Sequence, residues 1–187
     1  MPNVRSDTAI VVDARGIEAR VTKHILHKQK QPLPDLHRKL VGSVDRWQRI
    51  LDESPQALIH NDFNPRNICL RDRAGSLSLC AYDWELATLG APQRDLAELL
   101  CFVLPDTAPN AAIGHWIERH RAALARSAGV SIDRRQWQRG FHAALNELLV
   151  NRLAMYALVH RVRRQSFLPR VLATWRRIHA YSEAVTR

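Results

Sequence analysis

The stretch LIHNDFNPRNICL, Leu58 to Leu70, sets a histidine, an aspartate and three asparagines between two short apolar runs. A plain connection needs little more than Asn64-Pro65, because proline fixes φ and biases the residue before it away from the helical region. The surplus polar side chains ask for a chemical reason. Downstream, SLSLCAYD from Ser76 to Asp83 has the composition of a strand, and DRAGS before it supplies a turn. Ile68–Arg71 and Leu77–Tyr82 are therefore expected to pair as a hairpin. That hairpin would place the polar loop and the strand-ending Asp83 at its ends, where exposed side chains have a rigid support.

Outward from this segment the pattern is helical. Asp35 is expected to cap a helix whose apolar positions Leu36, Leu40, Val44, Trp47 and Leu51 recur at three- and four-residue steps, ending near Ser54-Pro55. A helix starting near Asp95 should stop before Pro105. Ile113, Trp116, Ile117 and Leu124 mark another, and Phe141, Leu145, Leu148, Leu149, Met155 and Val159 a longer one. A last helix opens near Pro169 and should bury Val171, Leu172, Trp175, Ile178 and Tyr181. Before all of these, Ala9–Val21 reads as a hairpin around Ala14-Arg15-Gly16, followed by the proline-bearing linker Lys28–Asp35. The expected fold is mainly α with a small central β-hairpin: a short N-terminal hairpin and linker over residues 1–34, and the principal domain over 35–187.

Composition excludes several classes. At 187 residues, with 46% hydrophobic and 25% charged residues, the chain fits one globular domain. No run approaches the roughly 18 apolar residues of a membrane span, and the N-terminus lacks the apolar core of a signal peptide, so a cytoplasmic location is expected. Cys69, Cys80 and Cys101 form no CxxC pair and read as reduced, buried thiols. The nine histidines include no HExxH, and no His/Cys metal site is expected. The net charge of +10 lies entirely after residue 110, where 14 arginines meet only Glu118, Asp133, Glu147 and Glu183. The arginines are spread along several segments, which favours solvated helix faces over a nucleic-acid tract.

The spacing inside the loop carries chemistry. His60, Asp62 and Asn67 form H-x-D-x-x-x-x-N, and Asp83 follows Asp62 by 21 residues. Phosphoryl transfer needs a carboxylate to orient an attacking hydroxyl and accept its proton, and oxygen ligands for magnesium bridging the phosphates. Asp62 suits the first task, Asn67 and Asp83 the second. Taken singly, each residue would serve equally well in an Asx-turn, a bend or a strand end.

Taken together, LIHNDFNPRNICL and AYDWELATLGAPQRDLAELL resemble the catalytic and metal-binding segments of the aminoglycoside phosphotransferase and choline kinase-like family, relatives of protein kinases. The family order is an H-x-D-x-x-x-x-N loop, a hairpin, D-x-E, and then G-x-P-x-x-D-L-A. This chain has His60, Asp62 and Asn67; then Asp83, Trp84 and Glu85; then Gly90, Pro92, Asp95, Leu96 and Ala97. The resemblance implies a protein kinase-like C-terminal lobe in which Asp62 is the catalytic base and Asn67 and Asp83 bind Mg2+ and, through it, ATP. His60 would support the loop, Asp95 steady it, and Glu85 stand in an outer shell of the metal or be a solvated residue. Asn61 and Phe63 replace residues that the family often has as Gly and Leu. Arg66 reads as a surface arginine.

The nucleotide lobe implied by the resemblance is largely absent. There are seven glycines and no GxGxxG, and about 35 residues precede the first helix. Lys23 matches no clear nucleotide-lysine motif. The chain therefore reads as a fragment, a split-gene half or a degenerate member, with a separate nucleotide-lobe chain or a homodimer partner as candidate partner, together with a small-molecule hydroxyl acceptor. The scarcity of acids after residue 110 argues against a polycationic aminoglycoside as acceptor. The alternative reading is a non-catalytic pseudokinase or interaction module that uses the basic C-terminal helices to bind a protein or another acidic partner.

Overall fold

The computed structural model describes residues 33–187. The hairpin expected over Ala9–Val21 lies outside the described residues. In chain order the elements are α1 (Leu33–Val41), α2 (Val44–Asp52), β1 (Ala57–Ile59), β2 (Ile68–Arg73), β3 (Ser76–Ala81), a 3-10 turn (Trp84–Leu86), β4 (Thr88–Gly90), α3 (Gln93–Val103), α4 (Asn110–Ala128), α5 (Arg134–Leu148), a π turn (Leu149–Leu153), α6 (Ala154–Val162) and α7 (Leu168–Thr186). The described residues are mostly helical, with two small antiparallel sheets.

Helix α5 is the axle of the core. Its Trp137, Phe141 and Leu145 are fully buried, and around them pack Trp47 and Leu51 of α2, Ala97, Leu100 and Cys101 of α3, and Val171, Trp175 and Ile178 of α7. These positions follow the three- and four-residue steps of the sequence, because an amphipathic helix must bury its apolar stripe against neighbours. Each buried indole also finds an acceptor: Trp137 Nε1 donates to the Ile117 carbonyl at 3.2 Å and Trp175 Nε1 to the Leu145 carbonyl at 2.9 Å. Gly140 permits a close approach to α3, since a Cβ there would sit 2.6 Å from Gln93 Nε2 and 2.9 Å from Ser54 Oγ.

Several expectations need correction. The single helix expected from Asp35 is two helices, broken at Gly42-Ser43. The Leu40 carbonyl is taken by Ser43 Oγ at 3.2 Å and by Trp47 Nε1 at 3.0 Å, so side-chain bonds replace continuation of the helical ladder. Asp35 does not cap a helix start; it lies inside the first turn of α1 and pairs with Arg38 at 3.0 Å. The end of the expected linker, from Leu33, is already helical. Met155 and Val159, whose spacing marks the longer helix, are 49% and 42% exposed.

The hairpin forms as expected, Ile68 facing Ala81 and Arg73 facing Ser76. Its two-residue turn places Ala74 at φ 53° and Gly75 at φ 83°, the left-handed pair that matches strand twist. It is central in the sequence but not in the fold, for Leu70, Leu77 and Leu79 on one face are all more than half exposed. Strand β4 was not expected. It pairs with β1, Leu58 opposite Leu89, and so draws together the two ends of the segment that holds the polar loop and the hairpin. Only Cys101 is a buried thiol: Cys80 is half-buried and Cys69 exposed, because both lie on the projecting hairpin.

Candidate active site

The polar loop leaves β1 at His60 and returns to the ladder at Ile68. Asp95, in the first turn of α3, anchors its start: Oδ2 accepts from His60 N–H at 2.7 Å and Oδ1 from Asn61 N–H at 2.8 Å. Burial raises the Asp95 pKa, and the two backbone donors and nearby positive charge offset only part of that. The His60 ring is buried, and its Nε2 lies 2.8 Å from the Tyr82 carbonyl. A carbonyl can only accept, so the proton sits on Nε2. The ring packs on Trp84, with centroids 4.7 Å apart. His60 thus ties the loop to the end of β3.

Asp62 is held from three sides. Asn67 Nδ2 donates to Asp62 Oδ2 at 2.7 Å and to its carbonyl at 2.9 Å, and Asn64 Nδ2 donates to Oδ1 at 3.0 Å. The third hold comes from 90 residues away: Arg152, in the π turn, forms an ion pair with Asp62 Oδ1 and donates to the Asn61 carbonyl. A π turn inserts one extra residue per turn, a feature common at functional sites. Behind this group stands Glu98 of α3, 3% exposed, which accepts from Asn64 Nδ2 at 3.2 Å and lies 3.8 Å from Arg152 Nε. Burial pushes the Glu98 carboxyl up to about 7, against the attraction of Arg152. For Arg152, burial works against the charge, but the Glu98 and Asp62 carboxylates outweigh it and the pKa rises.

Asp83 follows directly on Tyr82, whose N–H donates to the Asn67 carbonyl at 3.0 Å. With its NH2 given to Asp62, Asn67 has a side-chain oxygen that takes no hydrogen bond from the described residues, and the exposed Asp83 carboxylate takes none either. Asn61 and Asp83 adopt left-handed backbone, φ 60° and 66°. Such conformations cost about 1 kcal/mol or more in non-glycine residues and concentrate at functional sites. Among the described residues no group of three or more His, Cys, Asp or Glu could hold a metal, so an ion here would rest on one carboxylate and one amide oxygen, with Glu85 exposed and without a bonded partner.

A family model described as the phosphotransferase enzyme family matches residues 13–139. The chain belongs to that family. No curated protein and no solved structure matches it. The family match spans the polar loop, the hairpin and α3, and stops inside α5, so this phosphotransferase-family chain adds Arg152 from beyond the matched residues.

The structure therefore gathers His60, Asp62, Asn67 and Asp95 into one bonded network, and leaves Asp83, one residue past the Tyr82 bonded to Asn67, and Glu85 outside it. Sequence reasoning missed Asn64 as a bridging side chain, and Glu98 and Arg152 altogether. Glu98 had a signal, standing one helical step after Asp95 in RDLAELL. Arg152 had none, being one of 14 arginines after residue 110. Arg66 is exposed as expected, yet it is not idle: it donates to Asn64 Oδ1 at 3.1 Å and to Tyr156 Oη at 2.9 Å.

Proposed function

We propose that the chain is the catalytic lobe of an ATP- and magnesium-dependent phosphotransferase that moves the γ-phosphoryl group to a hydroxyl of a small molecule. The observation that carries this reading is the contrast within the loop. Asp62 is fixed by Asn64, Asn67 and Arg152, while Asn67 Oδ1 and the Asp83 carboxylate have no protein partner among the described residues. In this reading Asp62 orients the acceptor hydroxyl and accepts its proton, each carboxylate oxygen retaining lone-pair capacity beyond the bonds that position it. Asn67 and Asp83 would hold magnesium, which prefers oxygen ligands and would offset phosphate charge there. Glu85 would act on the ion through water, His60 and Asp95 would keep the loop in register, and Arg152 would set the direction of the Asp62 carboxylate.

The sequence has no GxGxxG phosphate cover, so in this reading the nucleotide site is completed by residues outside these 187, in the same chain or another, or by a second copy of this one. The acceptor is a neutral or anionic hydroxyl compound, because Arg66 and Arg152 flank the Asp62 loop and the helices after residue 110 hold 14 arginines against four acids.

Calorimetric titration of magnesium-ATP into the 187-residue chain beside Asp83→Ala tests the nucleotide half of the reading. Binding that weakens about tenfold or more in Asp83→Ala is expected. Absence of binding to both proteins, with circular dichroism showing both folded, defeats it for this chain alone. Efficient phosphorylation of kanamycin would defeat the acceptor assignment and leave the rest standing.

A further inference from the structure

Cys69 and Cys80 stand directly opposite each other in the β2–β3 ladder. No sequence motif announces this, for the two are separated by the whole hairpin turn. Opposite residues of an antiparallel pair project their side chains to the same face, with Cα atoms about 4.5 or 5.5 Å apart according to the type of pair. A disulfide requires Cα atoms about 4.4–6.8 Å apart, most often near 5.5–6 Å. The hydrogen bond from Tyr82 N–H to the Asn67 carbonyl marks 67/82 as the hydrogen-bonded type. The pair 69/80 is two steps along and of the same type, hence at the wider spacing. Both thiols are free, Cys69 exposed and Cys80 half-buried, on the face opposite Leu70 and Leu79. Cys101 does not compete, being fully buried in α3 with its thiol pushed up by burial.

From this placement we infer that Cys69 and Cys80 form a surface dithiol site for disulfide-type oxidants, closing reversibly into a disulfide across the hairpin that joins Asn67 to Asp83. The exposed Cys69 thiolate attacks a small disulfide RS–SR, forming a mixed disulfide and releasing one RS–, which takes the Cys69 proton from solvent. The Cys80 thiolate then attacks the Cys69 sulfur, forming the Cys69–Cys80 bond and releasing the second RS–, which takes up the Cys80 proton. One small disulfide is reduced to two thiols as the two cysteines lose two electrons. Exposure on a projecting hairpin makes the bond accessible to thiols, so it is a labile disulfide rather than a buried structural one. Its effect is to clamp β2 to β3 two residues from Asn67 and three from Asp83. The site stands whether or not those two residues bind magnesium.

The test uses the full chain and its Cys101→Ser variant, equilibrated with mixtures of reduced and oxidised glutathione, quenched in acid and read by intact mass and peptide mapping. The expected result is a monomer lighter by two hydrogens with a peptide joining Cys69 to Cys80. Cys80→Ser should instead stop at one glutathione on Cys69. Closure should also slow hydrogen exchange of the hairpin amides by about tenfold or more. Two separate glutathione adducts, a cross-link between chains, or Cys69 alone reacting in the wild-type chain would overturn the site, and unchanged hairpin exchange in the closed form would overturn the clamp. Mapping of the wild-type chain decides the matter even if Cys101→Ser fails to fold.

Discussion

The helical platform and the segment it carries, residues 60–87, are stabilised by different physics. The platform of α2, α3, α5 and α7 seals large side chains at its centre: Leu51, Trp137, Phe141, Leu145, Val171, Trp175 and Ile178 are all at or below 1% exposure. In the carried segment Leu70, Leu77 and Leu79 face solvent, and the buried groups are His60, Asn64 and Asn67. The platform rests on area removed from water; the loop rests on hydrogen bonds to Asp95, Asp62 and Arg152. A directional network of this kind can hold a carboxylate at a defined angle, which an apolar core cannot do. The open strand faces, by contrast, add little to global stability.

The largest expected effect is therefore in the platform. Trp175→Ala should cost about 3–5 kcal/mol in denaturant unfolding, by removing a fully buried ring and its bond to the Leu145 carbonyl. A loss below about 1 kcal/mol would break the contrast.

Two buried titrating groups of the platform, one far from the loop and one bonded to it, sharpen the comparison through pH. His179 of α7 stacks on Trp175, and burial, with His142 nearby, pushes its pKa down to about 4. A histidine depressed on folding contributes stability that is present above its unfolded value near 6.5 and lost as pH falls through about 4. His179→Gln, which can still donate to Asn146, should flatten that acid limb by an amount on the order of 2 kcal/mol. Glu98, behind the loop, has the opposite sign. Raised to about 7, it contributes stability that is full below about 4.5 and lost as pH rises through 7. Glu98→Gln should remove that downward slope, and an unchanged slope between pH 5 and 8 in urea titrations would refute the assignment.

Asp95→Ala should cost about 2 kcal/mol, because it strips the acceptor from two backbone donors, His60 and Asn61. Hydrogen exchange should rise first in the loop and leave α5 protected; loosening spread evenly over both would mean that the loop is not anchored where the bonds place it. At the small end, Leu79→Ser on the hairpin should change stability by no more than about 0.5 kcal/mol, since Leu79 is 57% exposed. A loss of about 2 kcal/mol would mean that this face is covered in solution.

The sequence by itself determined the helices whose apolar residues recur at helical steps, the hairpin bounded by DRAGS, and the residues of the candidate site that lie within one loop. His60, Asp62 and Asn67 are close in the chain, so their spacing already expresses their geometry. Only the tertiary structure decided the break at Gly42-Ser43, the β1–β4 pairing, the exposure of Leu70 and Leu79, the opposition of Cys69 and Cys80, and the arrival of Arg152 at Asp62. These features depend on which distant segments pack together and in what register. Local periodicity reports that a face is apolar or that an arginine is present, but burial and ion pairing are properties of partners, and the partner of Asp62 lies 90 residues away.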